Sequence, residues 1–313
     1  MLDCAIIGGG PAGLTAGLYT TRGGLKNVTL FEMGMPGGQI TKSSEIENYP
    51  GFFDNTKTGL EFMDTWTKQC FNFGLKHEMK KVVSVNKTGD HFTVMLDGGE
   101  TVEAKTAIVC TGAVPRRAEF KGEDEFYGKG VSTCATCDGF FYKDKPVTVL
   151  GGGDTALEEA FFLSNICSDV YVVHRRDEFR AAPPTLDRAI RKENIHFLTD
   201  SAIEECYGDA MGLSGVDIRN LKTDEVTHMD NTGLFVFVGQ DVKNDVLKNE
   251  NGDFICDMSD LDQVIVDLKM HTSIEGLFVA GDLRIDAPKQ VVSAAGDGSI
   301  AALQVISYLQ ELA

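Results

Sequence analysis

An α/β fold with two Rossmann-like dinucleotide-binding domains is predicted by three observations on this 313-residue chain. A glycine-rich loop follows a short apolar strand near the N-terminus, and a second loop of the same kind begins at Gly151. Each loop leads into a helical stretch and another apolar strand, as in a βαβ unit. Each unit is then followed by alternating β residues, which predict β-meander crossovers. The length suffices for two separate cores.

The first loop has the spacing of a dinucleotide fingerprint, with a strand at residues 4–7, a helix at 12–21 and a strand at 27–31. Glycines at its first, third and sixth positions permit a tight turn, a close approach to a pyrophosphate and close packing of helix on strand. The loop residues are Gly8, Gly9, Gly10, Pro11, Ala12 and Gly13.

Glu32 closes the second strand of this first unit, 19 positions after Gly13. A carboxylate at that position accepts hydrogen bonds from ribose hydroxyls and repels a 2′-phosphate. We therefore expect FAD or NAD, and not NADP, at the first loop.

The second loop stands between a strand at residues 147–150 and a helix at 155–165, with the next strand at 170–173. No acid closes that strand, and basic residues follow it instead. Guanidinium groups there suit a 2′-phosphate, so the unit is expected to bind NADPH, although a solvated basic helix start is the simpler alternative. The residues concerned are Gly151, Gly152, Gly153, Asp154, Thr155, His174, Arg175, Arg176 and Arg180.

Cys134 and Cys137 form the one Cys-x-x-Cys pair among eight cysteines. Sulfurs at this spacing are close enough to form a disulfide. The other six cysteines lie in apolar contexts and are interpreted as buried small side chains, and no ligand spacing indicates a zinc site. A redox pair between two dinucleotide loops indicates electrons that pass from a nicotinamide through a flavin to a disulfide.

The charge balance argues against two classes of partner. With 47 acidic and 29 basic residues the net charge is −18, which repels nucleic-acid phosphates and anionic lipid. The N-terminus lacks a basic signal segment, and no apolar run has the length of a membrane helix. We expect a cytoplasmic protein with neither a nucleic-acid nor a membrane partner.

The remaining segments complete the predicted organisation. Meanders are expected at residues 80–112 and 195–229, a break near 113–117, a closing strand at 233–239 and a polar linker at 240–245. A buried strand over residues 276–282 places Asp282 at its C-terminal edge, where ligands of parallel sheets gather. An amphipathic helix is predicted over residues 298–312.

These motifs together resemble the bacterial-type, low-molecular-weight thioredoxin reductases of the pyridine nucleotide-disulphide oxidoreductase family. The resemblance runs along essentially the whole chain. Besides both loops and the basic cluster it rests on Pro36-Gly37-Gly38-Gln39, Glu47-Asn48-Tyr49-Pro50-Gly51, Cys134-Ala135-Thr136-Cys137-Asp138-Gly139 and Gly281-Asp282.

The resemblance implies a flavoprotein homodimer in which an NADPH domain, residues 116–244, is inserted into a discontinuous FAD domain, residues 1–115 and 245–313. It also implies flavin contacts in loops that composition alone would leave as plain surface. Lys289 stands where the family usually has Arg, and Gly239-Gln240-Asp241-Val242 replaces a Gly-His-x-Pro segment. The implied flavin contacts are Gly38, Gln39, Asn48, Gly281, Asp282, Lys289, Gln290 and Val291.

The implied activity is thioredoxin-disulfide reduction, in which NADPH reduces FAD and the reduced flavin opens the Cys134–Cys137 disulfide. By this resemblance Cys137 faces the flavin, Cys134 attacks the disulfide of thioredoxin and Asp138 delivers protons as the dithiol forms. A surface acid in a turn is the simpler interpretation of Asp138.

Two alternatives stay open at the level of sequence. One is a flavin reductase of the same fold that serves another acceptor, such as a peroxiredoxin-type disulfide protein or ferredoxin. The other is a non-enzymatic redox sensor that binds FAD structurally. The intact cysteine pair disfavours ferredoxin, and the arginines beside the second loop disfavour the sensor.

Overall fold

Two units make up the chain in the computed structural model, which describes residues 1–43, 46, 48–52 and 58–312. One unit combines Met1–Val114 with Val242–Ala313, and the other is Pro115–Asp241. We call the first the discontinuous unit and the second the inserted unit. Glu47, the first residue of the Glu-Asn-Tyr-Pro-Gly segment, lies outside the described residues.

The first part of the discontinuous unit begins with a βαβ arrangement. Its first helix starts at a proline, which suits the first helical position because its missing N–H would be unpaired there. The second helix starts with a capping box between Thr58 and Glu61. The elements are β1 Leu2–Ile7, α1 Pro11–Arg22, β2 Val28–Phe31, a 3-10 turn Gln39–Lys42, α2 Gly59–Asn72, β3 Lys76–Glu78, β4 Val82–Thr88, β5 His91–Leu96, β6 Thr101–Val109 and β7 Ala113–Pro115.

The inserted unit carries its own βαβ arrangement and meander. Its elements are α3 Glu123–Phe126, β8 Val131–Ser132, α4 Ala135–Asp138, a 3-10 turn Gly139–Tyr142, β9 Val147–Leu150, α5 Asp154–Leu163, β10 Val170–Val173, α6 Pro183–Ile190, β11 Ile195–Leu198, β12 Ser201–Asp209, β13 Gly212–Asn220, β14 Val226–Asp230, β15 Leu234–Val236 and β16 Gln240–Val242. The chain then returns to the discontinuous unit with a 3-10 turn Asp245–Leu247, β17 Leu277–Val279 and α7 Val291–Glu311.

The sheet of the discontinuous unit has the order β3-β2-β1-β6-β5-β4, and β17 pairs in parallel with β6. β1 lies in parallel between β2 and β6, so Ile6 is level with Leu30 and Ile108. Side chains alternate across this sheet: Ile6 and Ile108 face one core, and Ile7 and Val109 face another. Helices α1 and α7 pack against each other.

The inserted unit has a parallel sheet in the order β11-β10-β9-β15-β8 and an antiparallel meander β12-β13-β14. One core contains Val149, Leu157 and Leu163 of the sheet and α5. The other contains Val173 of the sheet and Val216 of the meander. The antiparallel meander therefore covers one face of the parallel sheet, and the helices cover its other face.

The fold class predicted from the sequence is confirmed, and three details differ. Residues 195–198 belong to the parallel sheet and not to the meander, which begins at Ser201. The polar segment predicted as a linker includes β16, which pairs with β7. The last helix starts at Val291, seven residues before the predicted start, because its first turns are rich in small residues that carry little apolar periodicity.

Among the residues that the structure describes, no helix combines the length and the apolar character needed to span a membrane.

Candidate functional site

Two glycines of the first loop are required by the protein itself. Gly8 has φ +103°, and a Cβ on it would lie 2.5 Å from the carbonyl oxygen of Cys110. A Cβ on Gly13 would lie 1.9 Å from the carbonyl oxygen of Gly8, so only glycine lets α1 pack this closely on β1.

Gly10 has a different reason to be glycine. A Cβ on it would meet no protein atom nearer than the Cα of Gly38, at 3.8 Å. Described protein atoms therefore leave room for a side-chain atom at Gly10, directly before Pro11 and Ala12 at the start of the helix. Free space before a helix N-terminus is the cradle that a pyrophosphate uses.

Glu32 follows β2 and is held by the loop it was predicted to serve. One carboxylate oxygen accepts a hydrogen bond from the Gly9 N–H at 2.8 Å, and the other accepts from the Gly34 N–H at 3.3 Å. A carboxylate with a fixed orientation at the end of this strand can still accept from ribose hydroxyls through its remaining lone pairs.

The structure brings two pairs of the predicted flavin contacts together. Gly38 lies against Gly10, since a Cβ on Gly38 would be 2.9 Å from the Gly10 Cα, and Gln39 begins the 3-10 turn that follows. The Asn48 side-chain amide donates to Gln290 Oε1 at 3.1 Å, although 242 positions separate the two residues. Val291, next to Gln290, is the first residue of α7.

Asp282 lies directly after Gly281, beyond the end of β17. Burial raises the pKa of its carboxyl to about 6; the positive charges of Lys289 and Arg284 oppose the shift, and the negative charge of Asp297 adds to it. Within the described residues no hydrogen bond or ion pair involves this carboxyl. A half-buried acid without a partner among the described residues is suited to a polar ligand group.

A buried ion pair that the sequence did not reveal fixes this turn. Arg284 donates from Nε and Nη2 to the two oxygens of Asp297 on α7, at 2.7 and 3.1 Å. Asp297 also accepts from the Gly281 N–H at 3.2 Å. An aspartate inside the buried stripe of a long helix was the available signal for this pair.

The second loop repeats the first with other neighbours. A Cβ on Gly151 would lie 2.6 Å from the carbonyl oxygen of Phe237, and one on Gly152 only 2.2 Å from the His174 ring. A Cβ on Gly153 would meet nothing within 4 Å. Gly153, at the start of α5, therefore has room beside it, as Gly10 has at the start of α1.

His174 is placed under this loop and not among the exposed bases. Its ring is buried, donates from Nε2 to the Glu178 carbonyl oxygen at 3.1 Å and stacks on Phe179. Burial lowers its pKa, and the neighbouring arginines lower it further. The ring therefore packs against Gly152, and its surroundings favour the neutral form.

The arginines that follow β10 have their guanidinium groups at the protein surface. Arg175, Arg176 and Arg180 are exposed, and within the described residues none of them forms an ion pair. The Arg180 N–H donates to the Gly152 carbonyl oxygen at 2.8 Å, which fixes the basic segment beside the loop. Asp154 accepts from the Ala182 N–H at 2.8 Å, which connects the start of α5 to the segment after Arg180. The exposed Thr155 follows Asp154 in α5.

Cys134 and Cys137 are joined by a disulfide in the inserted unit. β8 leads to Cys134, and Cys137 lies in the single turn of α4 that follows. The Cys137 N–H lies 3.2 Å from the Cys134 sulfur, and the Thr136 hydroxyl lies 3.4 Å from it. The six other cysteines are free and buried, as predicted.

Asp138 is the last residue of α4. Burial raises the pKa of its carboxyl, and a hydrogen bond from Ser132 opposes the shift. The Ser132 hydroxyl lies 2.5 Å from Asp138 Oδ2 and accepts from the Cys134 N–H at 3.0 Å. No motif pointed to Ser132, since one hydroxyl six positions before an acid has no distinctive spacing.

Comparisons with known proteins agree with this geometry. The pyridine nucleotide-disulphide oxidoreductase family matches residues 2–298. A thioredoxin reductase from Helicobacter pylori is 59% identical over 310 residues, which cover 99% of both chains. One from Peptoclostridium acidaminophilum is 42% identical over 98% of this chain and 97% of its own.

Solved structures show the same similarity. The thioredoxin reductase of Streptococcus pyogenes superposes with a TM-score of 0.92 at 38% identity, over 99% of each chain. That of Giardia duodenalis gives 0.91 at 35% identity, over 98% of each chain. This chain therefore belongs to the pyridine nucleotide-disulphide oxidoreductase family.

Proposed function

We propose that this chain is a thioredoxin reductase, a flavoprotein that uses NADPH to reduce the disulfide of thioredoxin. The observation that carries the proposal is the Cys134–Cys137 disulfide, which lies in the same unit as the second glycine-rich loop and the exposed arginines beside it. Similarity to thioredoxin reductases over nearly the whole chain supports the choice of acceptor.

The residues of the discontinuous unit fit FAD. Free space at Gly10 suits the pyrophosphate, and Glu32 suits the adenosine ribose. Asp282 would accept from the ribityl chain, and the linked Asn48 and Gln290 would donate to the isoalloxazine edge. We assign residues 1–115 and 245–313 to this FAD domain.

The residues of the inserted unit fit NADPH, and we assign residues 116–244 to it. Free space at Gly153 suits the pyrophosphate. The three exposed guanidinium groups at positions 175, 176 and 180 suit a 2′-phosphate, which binds arginine through charge-assisted hydrogen bonds.

When bound, the flavin supplies two-electron transfer between a nicotinamide and a disulfide. Opening the Cys134–Cys137 disulfide to two thiols takes two electrons and two protons. The hydride of NADPH accounts for both electrons and one proton, so one further proton comes from the medium. We assign the delivery of a proton to Asp138, which follows Cys137 in the chain and whose carboxyl has its pKa raised by burial.

The dithiol then reduces thioredoxin by thiol–disulfide exchange. Cys134 loses its proton, and its thiolate attacks one sulfur of the substrate disulfide, forms a mixed disulfide and releases a thioredoxin thiolate, which takes up a proton. Cys137 then loses its proton and attacks the Cys134 sulfur, which restores the enzyme disulfide and releases the second thioredoxin sulfur as a thiolate that also takes up a proton.

The proposal extends to assembly and location. We assign the active form as a homodimer in the cytoplasm, with thioredoxin as the protein partner. Sedimentation equilibrium checks the dimer, which has twice the 34.0 kDa mass of the chain.

The test is the double variant Cys134→Ser/Cys137→Ser. NADPH should still bleach the flavin of this variant anaerobically, because neither nucleotide loop is changed, whereas thioredoxin reduction should fall below detection. Cys167→Ser is the matched control, since it removes a buried free cysteine of the same unit. Continued thioredoxin reduction by the double variant contradicts the proposal.

A further inference from the structure

Ser132 occupies a fixed position between the redox pair and its acid. It is the last residue of β8, pairs with Phe235 of β15 and is 6% exposed. Since β15 also pairs with β9, the Ser132 backbone belongs to the parallel sheet.

The Ser132 hydroxyl contacts the Asp138 carboxyl and the backbone of Cys134. Its oxygen lies 2.5 Å from Asp138 Oδ2, accepts from the Cys134 N–H at 3.0 Å, and lies 3.3 Å from the Cys134 carbonyl oxygen. A hydroxyl has one hydrogen, and an ionised carboxylate is the stronger acceptor. The hydrogen therefore goes to Asp138 Oδ2.

The other oxygen of the same carboxyl group is left available. Within the described residues, Asp138 Oδ1 accepts no hydrogen bond. The two oxygens of Asp138 are thus unequal: one is bound to a side chain fixed in the sheet, and the other has no described protein partner.

We propose that Ser132 is a positioning residue for proton transfer, which holds Asp138 through Oδ2 and so assigns the exchanging proton to Oδ1. The inference rests on the proposed function, in which Asp138 passes protons to and from the dithiol. When the enzyme S–S bond opens, the electrons come from NADPH and one proton leaves Oδ1–H for a sulfur. The carboxylate regains that proton from water.

Neighbouring titratable groups set the background for a pH measurement. Tyr142, in the turn after α4, has its pKa raised to about 12 by burial and by the charge of Asp138, so it stays neutral. Glu159 lies on α5, which packs against α4, and burial raises its pKa as well. Glu159→Gln is therefore a necessary control.

The experiment compares Ser132→Ala with Ser164→Ala, another buried serine of this unit, whose hydroxyl donates to the Phe161 carbonyl oxygen. Reduced enzyme is mixed anaerobically with oxidised thioredoxin, and reoxidation is followed across pH. Ser132→Ala should slow reoxidation about 10-fold, a part of the roughly 10²- to 10⁴-fold that a positioned acid or base contributes. Ser164→Ala should leave the rate within about twofold of that of the unchanged protein.

The pH profile separates positioning from a merely structural role. The Ser132 hydrogen bond favours the charged carboxylate, so its removal raises the pKa of Asp138 and moves the profile to higher pH. In an Asp138→Asn background, Ser132→Ala should have almost no further effect, because it acts through that carboxyl. An equal slowing with and without Asp138 overturns the inference.

Alkylation of the dithiol decides the question without thioredoxin. The rate at which iodoacetamide modifies the reduced dithiol of the flavin-loaded protein should show an inflection from Asp138. We expect the inflection to move to higher pH in Ser132→Ala, to vanish in Asp138→Asn and to stay in place in Glu159→Gln.

If the unchanged protein does not reduce thioredoxin, the proposed function fails while this alkylation profile still tests Ser132. A profile of Ser132→Ala identical to that of Ser164→Ala, or an inflection that Glu159→Gln removes, overturns the inference.

Discussion

The two nucleotide loops share a backbone design and differ in how their charged groups are held. At the first loop, Glu32 is bound by two backbone N–H groups, and Asp282 is half-buried beside a buried ion pair. At the second, the arginines are exposed and without ion-pair partners in the described part of the chain. The first arrangement suits a ligand that stays bound, and the second suits one that arrives and leaves with each turnover.

The difference shows that a glycine motif alone does not define the role of a site. Gly10 and Gly153 face similar free space in their respective units. The side chains beside the next strand determine which phosphate or ribose is accepted, and their burial influences how firmly it is held. Each of the following predictions changes one side of this comparison.

The largest effect is expected from Gly13→Ala compared with Gly153→Ala. The first places a Cβ 1.9 Å from a carbonyl oxygen, whereas the second meets no protein atom within 4 Å. We expect Gly13→Ala to destabilise the discontinuous unit by about 3 kcal/mol or more, and Gly153→Ala to cost the inserted unit about 1 kcal/mol or less. Thermal unfolding of the flavin-free proteins measures both. An equal loss of stability in the two variants would contradict the distinction between a glycine required by close packing, Gly13, and one with room beside it, Gly153.

Asp282→Asn tests the buried acid of the first site. Because burial raises the pKa of Asp282 to about 6, folding favours its neutral form. The flavin-free protein should therefore lose stability from this group as pH rises from about 4 to about 6, on the order of 3 kcal/mol in all. Above that range the variant should be the more stable protein but bind FAD more weakly. Denaturant unfolding across pH checks this; a pH-independent difference between the two proteins contradicts it.

Arg175→Ala/Arg176→Ala tests the exposed side of the comparison. Two charge-assisted contacts to a 2′-phosphate should be lost, so KM for NADPH should rise about 100-fold while that for NADH changes little. Arg191→Ala removes an exposed arginine elsewhere in the inserted unit and serves as control. Steady-state kinetics with both nucleotides measures the effect, and an equal rise for NADH would place the guanidinium groups away from the 2′-phosphate.

The sequence predicted most of what depends on local spacing. The βαβ units, the cysteine pair and the buried state of the remaining cysteines follow from glycine periods and apolar runs. The partners of Asp138 and Arg284 did not follow, because Ser132 and Asp297 reach them through folding and not through a spacing rule. β11 was assigned to the meander for the same reason, since the residues of one strand do not specify parallel or antiparallel pairing.

The packing of α7 on α1 has a consequence for biosynthesis. A Cβ on Gly298 would lie 2.1 Å from the carbonyl oxygen of Ala12, so the start of α1 packs against a residue that is synthesised 298 − 12 = 286 positions later. On the ribosome, the inserted unit has all of its strands before β17 and α7 emerge. It can therefore fold first, whereas α1 can reach its final packing only after α7 has been synthesised.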